Sequence, residues 1–268
     1  MDKAYRSNLA RSEGVEARPA ARPAASPELS VVIPVHNEEP CLEELWQRLR
    51  EVLAAVAPTW EVILVDDESS DGSLELLKRF QRDESRLRVV ALKQRQGQTA
   101  ALAAGFRFAR GEWVLTLDAD LQNPPEEIPK LLAATDGVDL VYGRRQVRVD
   151  SLVKRVSSHV GNGVRNWITG HRVRDTGCSL KLFRRKALER IPMFHGMHRF
   201  LPTLFAFHGF RGREVEVAHA SRAAGRTKYG MANRAWRGLI DCFAVRWMRG
   251  RSLRYEAHEF QGFREEDD

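Results

Sequence analysis

The chain has 268 residues, 43% of them hydrophobic, which suits one large domain with appended arms better than two equal domains. Its 43 Lys and Arg against 36 Asp and Glu leave a net charge of +7, which favours anionic partners such as phosphates, nucleic acid or an anionic membrane surface without choosing among them. Three cysteines, Cys41, Cys178 and Cys242, lie far apart with no CxxC or His pairing, so no disulfide framework or zinc site is indicated and a reducing cytoplasm fits best.

Residues 1–28 scatter Arg6, Arg11, Arg18 and Arg22 among Ala and Pro and lack the apolar stretch of a secretory signal, so they are expected to form a disordered tail. From Leu29 the pattern becomes short β-branched runs alternating with helical ones, the mark of a parallel sheet covered by helices on both faces. Leu29–Val35 is a predicted strand. Glu39–Val56 is a predicted helix, with Leu42, Leu45, Trp46, Leu49, Val52 and Leu53 at helical spacing. A strand at Glu61–Val65 ends in the acidic turn Asp66-Asp67-Glu68-Ser69-Ser70-Asp71. Helix, strand and helix follow at Ser73–Gln81, Leu87–Leu92 and Thr99–Ala109, and a fourth strand, Glu112–Leu117, runs into Asp118-Ala119-Asp120. Val138–Tyr142 is a predicted fifth strand. Beyond it the alternation weakens into a basic region with Gly and His, up to about Gly225.

Met231–Arg249 places Trp236, Leu239, Ile240, Phe243 and Trp247 on one helical face and Arg234, Arg237, Asp241 and Arg249 on the other. That stripe fits a helix lying at a headgroup boundary, and equally one packed on the domain. Uncharged runs stay near a dozen residues, short of the roughly 20 that cross a bilayer, so membrane contact is expected to be peripheral.

In open α/β sheets ligands bind beyond the carboxyl ends of the strands, where both acidic clusters fall. In extended backbone, residues two apart project to one side, so Asp118 and Asp120 can meet while Ala119 faces away. Two carboxylates held together repel unless a cation lies between them, and hard oxygen ligands suit Mg²⁺ or Mn²⁺ bridging to phosphate oxygens. Taken alone, an Asp-x-Asp triplet is a common solvated turn.

The context is more specific. Pro34-Val35-His36-Asn37-Glu38, Asp66-Asp67-Glu68-Ser69-Ser70-Asp71-Gly72, Gly97-Gln98-Thr99-Ala100-Ala101 and Asp118-Ala119-Asp120-Leu121-Gln122 occur in that order, followed by Tyr142-Gly143-Arg144-Arg145, Asp175-Thr176-Gly177-Cys178 and Arg222-Ala223-Ala224-Gly225-Arg226-Thr227-Lys228-Tyr229. Together they resemble family 2 glycosyltransferases of the GT-A fold, in the branch of dolichol-phosphate mannose synthases and bacterial polyprenyl-phosphate glycosyltransferases. The likeness covers residues 29–247. His36, Glu68 and Thr227 depart from the Tyr, Gly and Ser usual at those places.

The resemblance implies an α/β, Rossmann-like open sheet, mostly parallel, over residues 29–228, then an amphipathic helix over 229–250 and a charged tail over 251–268. It implies that Pro34, Asn37, Glu38, Asp66, Gln98, Arg222 and Lys228 bind the nucleotide-sugar donor. Asp118, Asp120 and Gln122 would hold Mg²⁺ or Mn²⁺. Arg144, Lys154, Arg155 and Ser158 would bind the acceptor phosphate, and Asp175 would lie beside the reacting carbon as a catalytic residue with Asp118 and Asp120. The bland readings are turn chemistry for the Pro, Asn and Asp positions and a solvated basic face for the cations.

The expected reaction is inverting transfer from a GDP- or UDP-linked sugar to a polyprenyl phosphate at the cytoplasmic membrane face. Because many bacterial relatives carry transmembrane helices after this domain, a separate membrane-protein partner is also expected. A soluble glycan or protein acceptor is the competing enzymatic reading. A nucleic-acid-binding protein is disfavoured because no RRM, helix-turn-helix or zinc pattern occurs, and a Rossmann dehydrogenase because no GxGxxG follows the first strand. A catalytically dead donor-binding protein is disfavoured because Asp118, Asp120 and Asp175 are all present.

Overall fold

A computed structural model describes residues 27–145, 152–220 and 231–251, with side chains in 152–160 and 231–237 left out of account. The first half alternates strand and helix: β1 (Leu29–Val35), α1 (Glu39–Val56), β2 (Trp60–Asp66), α2 (Ser73–Asp83), β3 (Leu87–Ala91), α3 (Gln98–Phe108) and β4 (Trp113–Thr116). The second half holds α4 (Ile128–Leu132), β5 (Leu140–Arg145), α5 (Leu152–Thr169), β6 (Lys181–Arg184), α6 (Arg185–Leu188), α7 (Leu201–Phe207), β7 (Gly212–Val217) and α8 (Met231–Arg251).

The seven strands form one sheet in the order β3-β2-β1-β4-β6-β5-β7. Strand β1 pairs in parallel with β2 and β4, and β2 with β3. Strand β6 runs antiparallel to both β4 and β5, while β5 and β7 are parallel. The chain goes outward from β1 to β3 and then returns to β4 on the other side of β1. That reversal opens the crevice where ligands of such sheets bind.

Strands buried on both faces need apolar side chains at nearly every position. In β1, Val31, Ile33 and Val35 enter one core with Leu42, Leu45, Leu49 and Leu53 of α1, while Val32 enters the other. Ile63 and Val65 of β2, Ala101 and Leu102 of α3, and Leu201, Leu204 and Phe205 of α7 share that second core. A Cβ on Gly105 of α3 would lie 2.2 Å from Val32 Cγ1, so glycine there lets the helix sit directly on β1.

The sequence reading found α1 to α3 and β1 to β5 with shifts at their ends: β4 stops at Thr116 rather than Leu117, and β5 runs Leu140–Arg145 rather than Val138–Tyr142. It did not resolve α4, α5, β6, α6, α7 or β7. Helix α8 splits its apolar residues: Cys242 and Val245 are buried against the second core with Leu239 half-buried beside them, while Ile240, Phe243 and Trp247 face outward. The single stripe expected from sequence therefore overlooked the inward face, and Leu239 belongs with it. Trp236, Arg234 and Arg237 lie outside the described side chains. No helix among the described residues is long and apolar enough to cross a membrane.

Candidate functional site

The carboxyl ends of β1, β2 and β4 frame a cleft of about 220 Å³ lined by Pro34, Glu38, Asp67, Gln98, Asp118 and Asp120, with Val35, His36, Arg95, Gly97 and Ala119 completing it. Five residues expected from sequence thus share one cavity. Its walls are turns with unusual backbone. Asn37, Glu68 and Leu121 have φ of 56°, 55° and 59°, a left-handed region that non-glycine residues seldom occupy. Such geometry persists only where surrounding contacts hold it.

Those contacts run between the turns. Asn37 Oδ1 accepts the Ser70 backbone N–H at 2.7 Å and its Nδ2 donates to Ser70 Oγ at 3.1 Å, which ties the β1 turn to the β2 turn. Glu68 stands where the family usually has glycine, and its carboxylate accepts the Arg95 backbone N–H at 2.8 Å. His36 Nδ1 lies 2.9 Å from the Asp67 carbonyl oxygen, which fixes its proton on Nδ1. Asp67 accepts the backbone N–H groups of Gln96 at 2.7 Å and Gly97 at 2.8 Å. This draws the connection before α3 over the end of β2 and aims the first turn of α3 at the cleft. A helix N-terminus presents free N–H groups and positive potential, which suit an anion such as a diphosphate. Gly97, with φ of 86°, permits the bend.

Asp66, 1% exposed, accepts the Ser69 N–H at 3.2 Å through Oδ2, while its Oδ1 is buried with no hydrogen-bond partner among the described residues. An orphaned buried acceptor costs stability, and Asp66 is not among the residues that line the cleft.

Asp118 and Asp120 leave the end of β4 outside extended backbone, yet both line the cleft, and Ala119 between them packs into the core while also bordering the cleft. The Asp118 carboxyl is pushed up to about 6, first by burial and then by the charge of Asp120. Gln98 Nε2 donates to Asp118 Oδ1 at 2.8 Å, partly offsetting that cost. Two crowded carboxylates fit a divalent cation. No group of three or more His, Cys, Asp or Glu suited to a metal occurs among the described residues. The donor set therefore matches Mg²⁺ or a similar ion that keeps waters and takes one or two carboxylates plus substrate phosphate oxygens. Gln122, placed in the metal shell from sequence, does not line the cleft. Its backbone N–H donates to Asp120 Oδ1 at 3.2 Å and its carbonyl accepts the Ala220 N–H at 2.9 Å.

Asp175 lies on the loop before β6, 7% exposed, and is gripped by Arg145 at the end of β5, with Nε at 2.7 Å and a terminal nitrogen at 2.9 Å. Paired bonds of this kind fix orientation as well as charge. Arg144 faces the other way and forms ion pairs with Glu214, at 3.3 Å, and Glu216 of β7. Arg144 therefore contacts an acceptor phosphate only by sharing or leaving those carboxylates. Lys154, Arg155 and Ser158 fall on α5 but their side chains, like all of Arg222, Thr227 and Lys228, lie outside the described residues.

Sequence reasoning missed two residues here. Lys181, 4% exposed on β6, donates through Nζ to the Cys178 carbonyl oxygen and feels the charges of Asp118 and Asp175. Burial holds its pKa below the usual lysine value. His219, just past β7, has a buried Nδ1 without a hydrogen-bond partner among the described residues and stands within electrostatic reach of Arg145, Asp120 and Asp175. Burial lowers its pKa and favours the neutral ring. Neither residue carries a local signal, because each acquires its role only when β6 and β7 join the sheet.

A family model described as Glycosyl transferase family 2 matches residues 30–192. The chain is 40% identical over 229 residues to an undecaprenyl-phosphate 4-deoxy-4-formamido-L-arabinose transferase of Edwardsiella ictaluri, an alignment covering 84% of this chain and 70% of that one. It is 41% identical over 203 residues to a protein of the same name from Salmonella choleraesuis, covering 75% of this chain and 62% of the other, so it spans less than two thirds of that relative. Among solved structures, glucosyl-3-phosphoglycerate synthase from Mycobacterium tuberculosis in complex with Mn²⁺, UDP and phosphoglyceric acid aligns with a TM-score of 0.62 at 18% identity, over 84% of this chain and 79% of that one. A mannosyltransferase from Pyrobaculum calidifontis in complex with GDP-Man and Mn²⁺ aligns with a TM-score of 0.57 at 22% identity, over 94% and 72%. At these identities the likeness is one of fold.

Proposed function

This chain belongs to glycosyl transferase family 2, and from that premise we propose that it moves one sugar from a GDP- or UDP-linked donor onto a polyprenyl phosphate, of undecaprenyl or dolichyl type, at the cytoplasmic face of a membrane. The observation that carries the reading is the single cleft formed by Pro34, Glu38, Gln98, Asp118 and Asp120 at the sheet's switch point. The names of the relatives support the acceptor class.

In this proposal Pro34, Asn37, Glu38 and Asp66 take the nucleoside, with the orphaned Asp66 oxygen accepting from its sugar or base. The N-terminus of α3 and Gln98 face the diphosphate, and Arg222 and Lys228 approach it from the other side. Asp118 and Asp120 would hold Mg²⁺ or Mn²⁺, which would neutralise charge on the departing diphosphate, while Gln122 meets this pair through the backbone N–H that it donates to Asp120 Oδ1. Arg144, Lys154, Arg155 and Ser158 receive the acceptor phosphate.

A phosphate monoester is largely dianionic near neutral pH, with a second pKa of about 6, so its oxygen attacks without a strong base. That oxygen forms the new bond to the anomeric carbon as the bond to the donor diphosphate breaks. The nucleoside diphosphate leaves with the electron pair, and the carbon inverts. Asp175, immobilised by Arg145, orients the acceptor rather than deprotonating it. No protein nucleophile takes part.

The test incubates the purified chain with undecaprenyl phosphate and a panel of radiolabelled nucleotide sugars that includes UDP-4-deoxy-4-formamido-L-arabinose. The proposal expects label to enter the lipid-extractable fraction for one donor. Label entering only soluble glycan or protein acceptors would replace it with the competing reading.

A further inference from the structure

We propose that Arg165 is a positioning residue for sugar transfer: from α5 it holds the loop that carries Asp175, so that this carboxylate and the helix keep one register at the acceptor side of the site. The inference rests on the reading above in which Asp175 orients the acceptor, and it names a residue that the reading did not use.

Arg165 is 7% exposed, a depth at which arginine is rare unless it is paired. Its acceptors are all neutral. One terminal nitrogen donates to Asn162 Oδ1 at 3.0 Å and to Thr176 Oγ1, and the other donates to Asn166 Oδ1 at 2.9 Å and to the Val173 carbonyl oxygen at 2.8 Å. The two asparagines reach the same loop. Asn162 Nδ2 donates to the Arg174 carbonyl oxygen at 3.0 Å, while Asn166 donates through Nδ2 to the Val173 carbonyl oxygen at 3.3 Å and accepts the Val173 N–H at 3.2 Å. Residues three and four apart are neighbours on a helix surface, so Asn162, Arg165 and Asn166 form one face of α5. That face binds the chain on both sides of Asp175, at Val173 and Arg174 before it and at Thr176 after it.

Neutral side chains would supply such bonds at lower cost. A buried guanidinium with no carboxylate against it is penalised by desolvation. Here burial lowers the Arg165 pKa, and Nε is buried with no hydrogen-bond partner among the described residues. The charge is retained where it serves a carboxylate, because Asp175 lies within its electrostatic reach. Asp175 is thus placed between two guanidinium groups: Arg145 at the end of β5 binds it directly, and Arg165 on α5 binds its neighbours in the loop. Departures from the cheapest packing are expected where a site requires them.

Helix α5 also carries Lys154, Arg155 and Ser158, assigned above to the acceptor phosphate. Arg155, Ser158, Asn162 and Arg165 recur at three- and four-residue spacing along it. Tying the loop to α5 therefore sets the separation between the acceptor phosphate and Asp175. The attacking oxygen must lie in line with the breaking bond, and a misplacement of about 1 Å can cost on the order of 100-fold in rate. Arg165 hydrogen-bonds to none of the residues that line the donor cleft. Its loss should fall on the transfer step and leave donor binding alone.

The test is a mutant cycle on transfer, run with the donor and acceptor that the labelled panel identifies. Arg165→Lys keeps the charge but loses the fork that spans Thr176 and Val173. It should lower kcat by about tenfold or more and leave the donor KM near wild type. Thr176→Val removes one acceptor of Arg165 and no charge. It should move kcat the same way by a smaller factor, so the proposal stays testable if Arg165→Lys misfolds. Val164→Ala, an exposed neighbour on α5, should transfer as wild type. In an Asp175→Asn background both Arg165→Lys and Thr176→Val should cost little more, because an amide cannot take the carboxylate's part. A wild-type kcat in both single variants, a loss carried by the donor KM, or losses that multiply in the two backgrounds would overturn the proposal. Wild-type transfer by Asp175→Asn alone would remove Asp175 from the account and this inference with it. A soluble acceptor in the panel would sink the lipid reading and leave the cycle readable.

Discussion

Replacing Arg145 by Met would remove the guanidinium that holds Asp175. The Asp175 carboxylate accepts from Arg145 Nε at 2.7 Å and a terminal nitrogen at 2.9 Å, and from the backbone N–H groups of Arg145 at 3.3 Å and Gly177 at 3.0 Å. Only the two backbone bonds of these four survive the substitution, and the carboxylate is 7% exposed. Stripping one partner from a buried ion pair costs about 3–5 kcal/mol, because the remaining charge stays desolvated. Lys181 keeps some compensating charge within electrostatic reach, which favours the lower end of that range. For a chain of this size each kcal/mol moves the thermal midpoint by about 2–4 °C, so R145M should melt roughly 6–20 °C below wild type. In the Asp175→Asn background the same substitution should cost much less, since no charge is left stranded. Calorimetry on the four proteins of this cycle measures the coupling directly. A midpoint for R145M within about 2 °C of wild type, or equal losses in both backgrounds, would refute the argument that the pair is buried and strongly coupled.

Other consequences are simpler to measure. Gly105→Val should lower the thermal midpoint, with overpacking of about 1–3 kcal/mol or more, because its Cβ would meet Val32 Cγ1 at 2.2 Å; an unchanged midpoint would mean that α3 is not seated on β1. Asp120→Ala should abolish transfer, as should excess EDTA on the wild type, and full activity under chelation would remove the metal from the account. The Asp118 carboxyl is pushed up to about 6, above its ordinary 3.8, so the folded metal-free chain holds that proton more tightly than the unfolded one. Its stability should therefore decline as pH rises from 4 to 6. Mg²⁺ must displace the same proton, so its affinity, read by titration calorimetry, should rise about tenfold between pH 5 and pH 7. Affinity independent of pH over that window would show that Asp118 is ionised throughout or is not a ligand.

The N-terminal half of the fold was readable because its strands are buried on both faces. Val31-Val32-Ile33 and Val62-Ile63-Leu64-Val65 are unbroken apolar runs ended by turn residues, and α1 shows its core face at regular helical spacing. The second half withholds those signals. Strand β6 is four residues long and opens with a buried lysine, and β7 reads Gly-Arg-Glu-Val-Glu-Val with half its residues exposed and only Val217 buried. Helix α5 contains Gly161 and Gly163, which weaken helical propensity, and it packs against α8, a partner distant in sequence. In the site, Asp118, Asp120 and the turn residues were legible because motif order placed them at strand ends. The grip of Arg145 on Asp175, the position of Lys181 and the orphaned nitrogen of His219 depend on strand pairings 30 or more residues apart, which local patterns do not encode.

The central claim is that a sugar, and not a sugar phosphate, passes to a lipid phosphate. Mass spectrometry of both products from one reaction with undecaprenyl phosphate and the accepted nucleotide sugar tests it most directly. The account predicts a nucleoside diphosphate released in equal amount with a lipid carrying the sugar through a single phosphate, its anomeric configuration inverted relative to the donor. A nucleoside monophosphate released with a diphosphate-linked lipid would contradict it, as would a product of retained configuration.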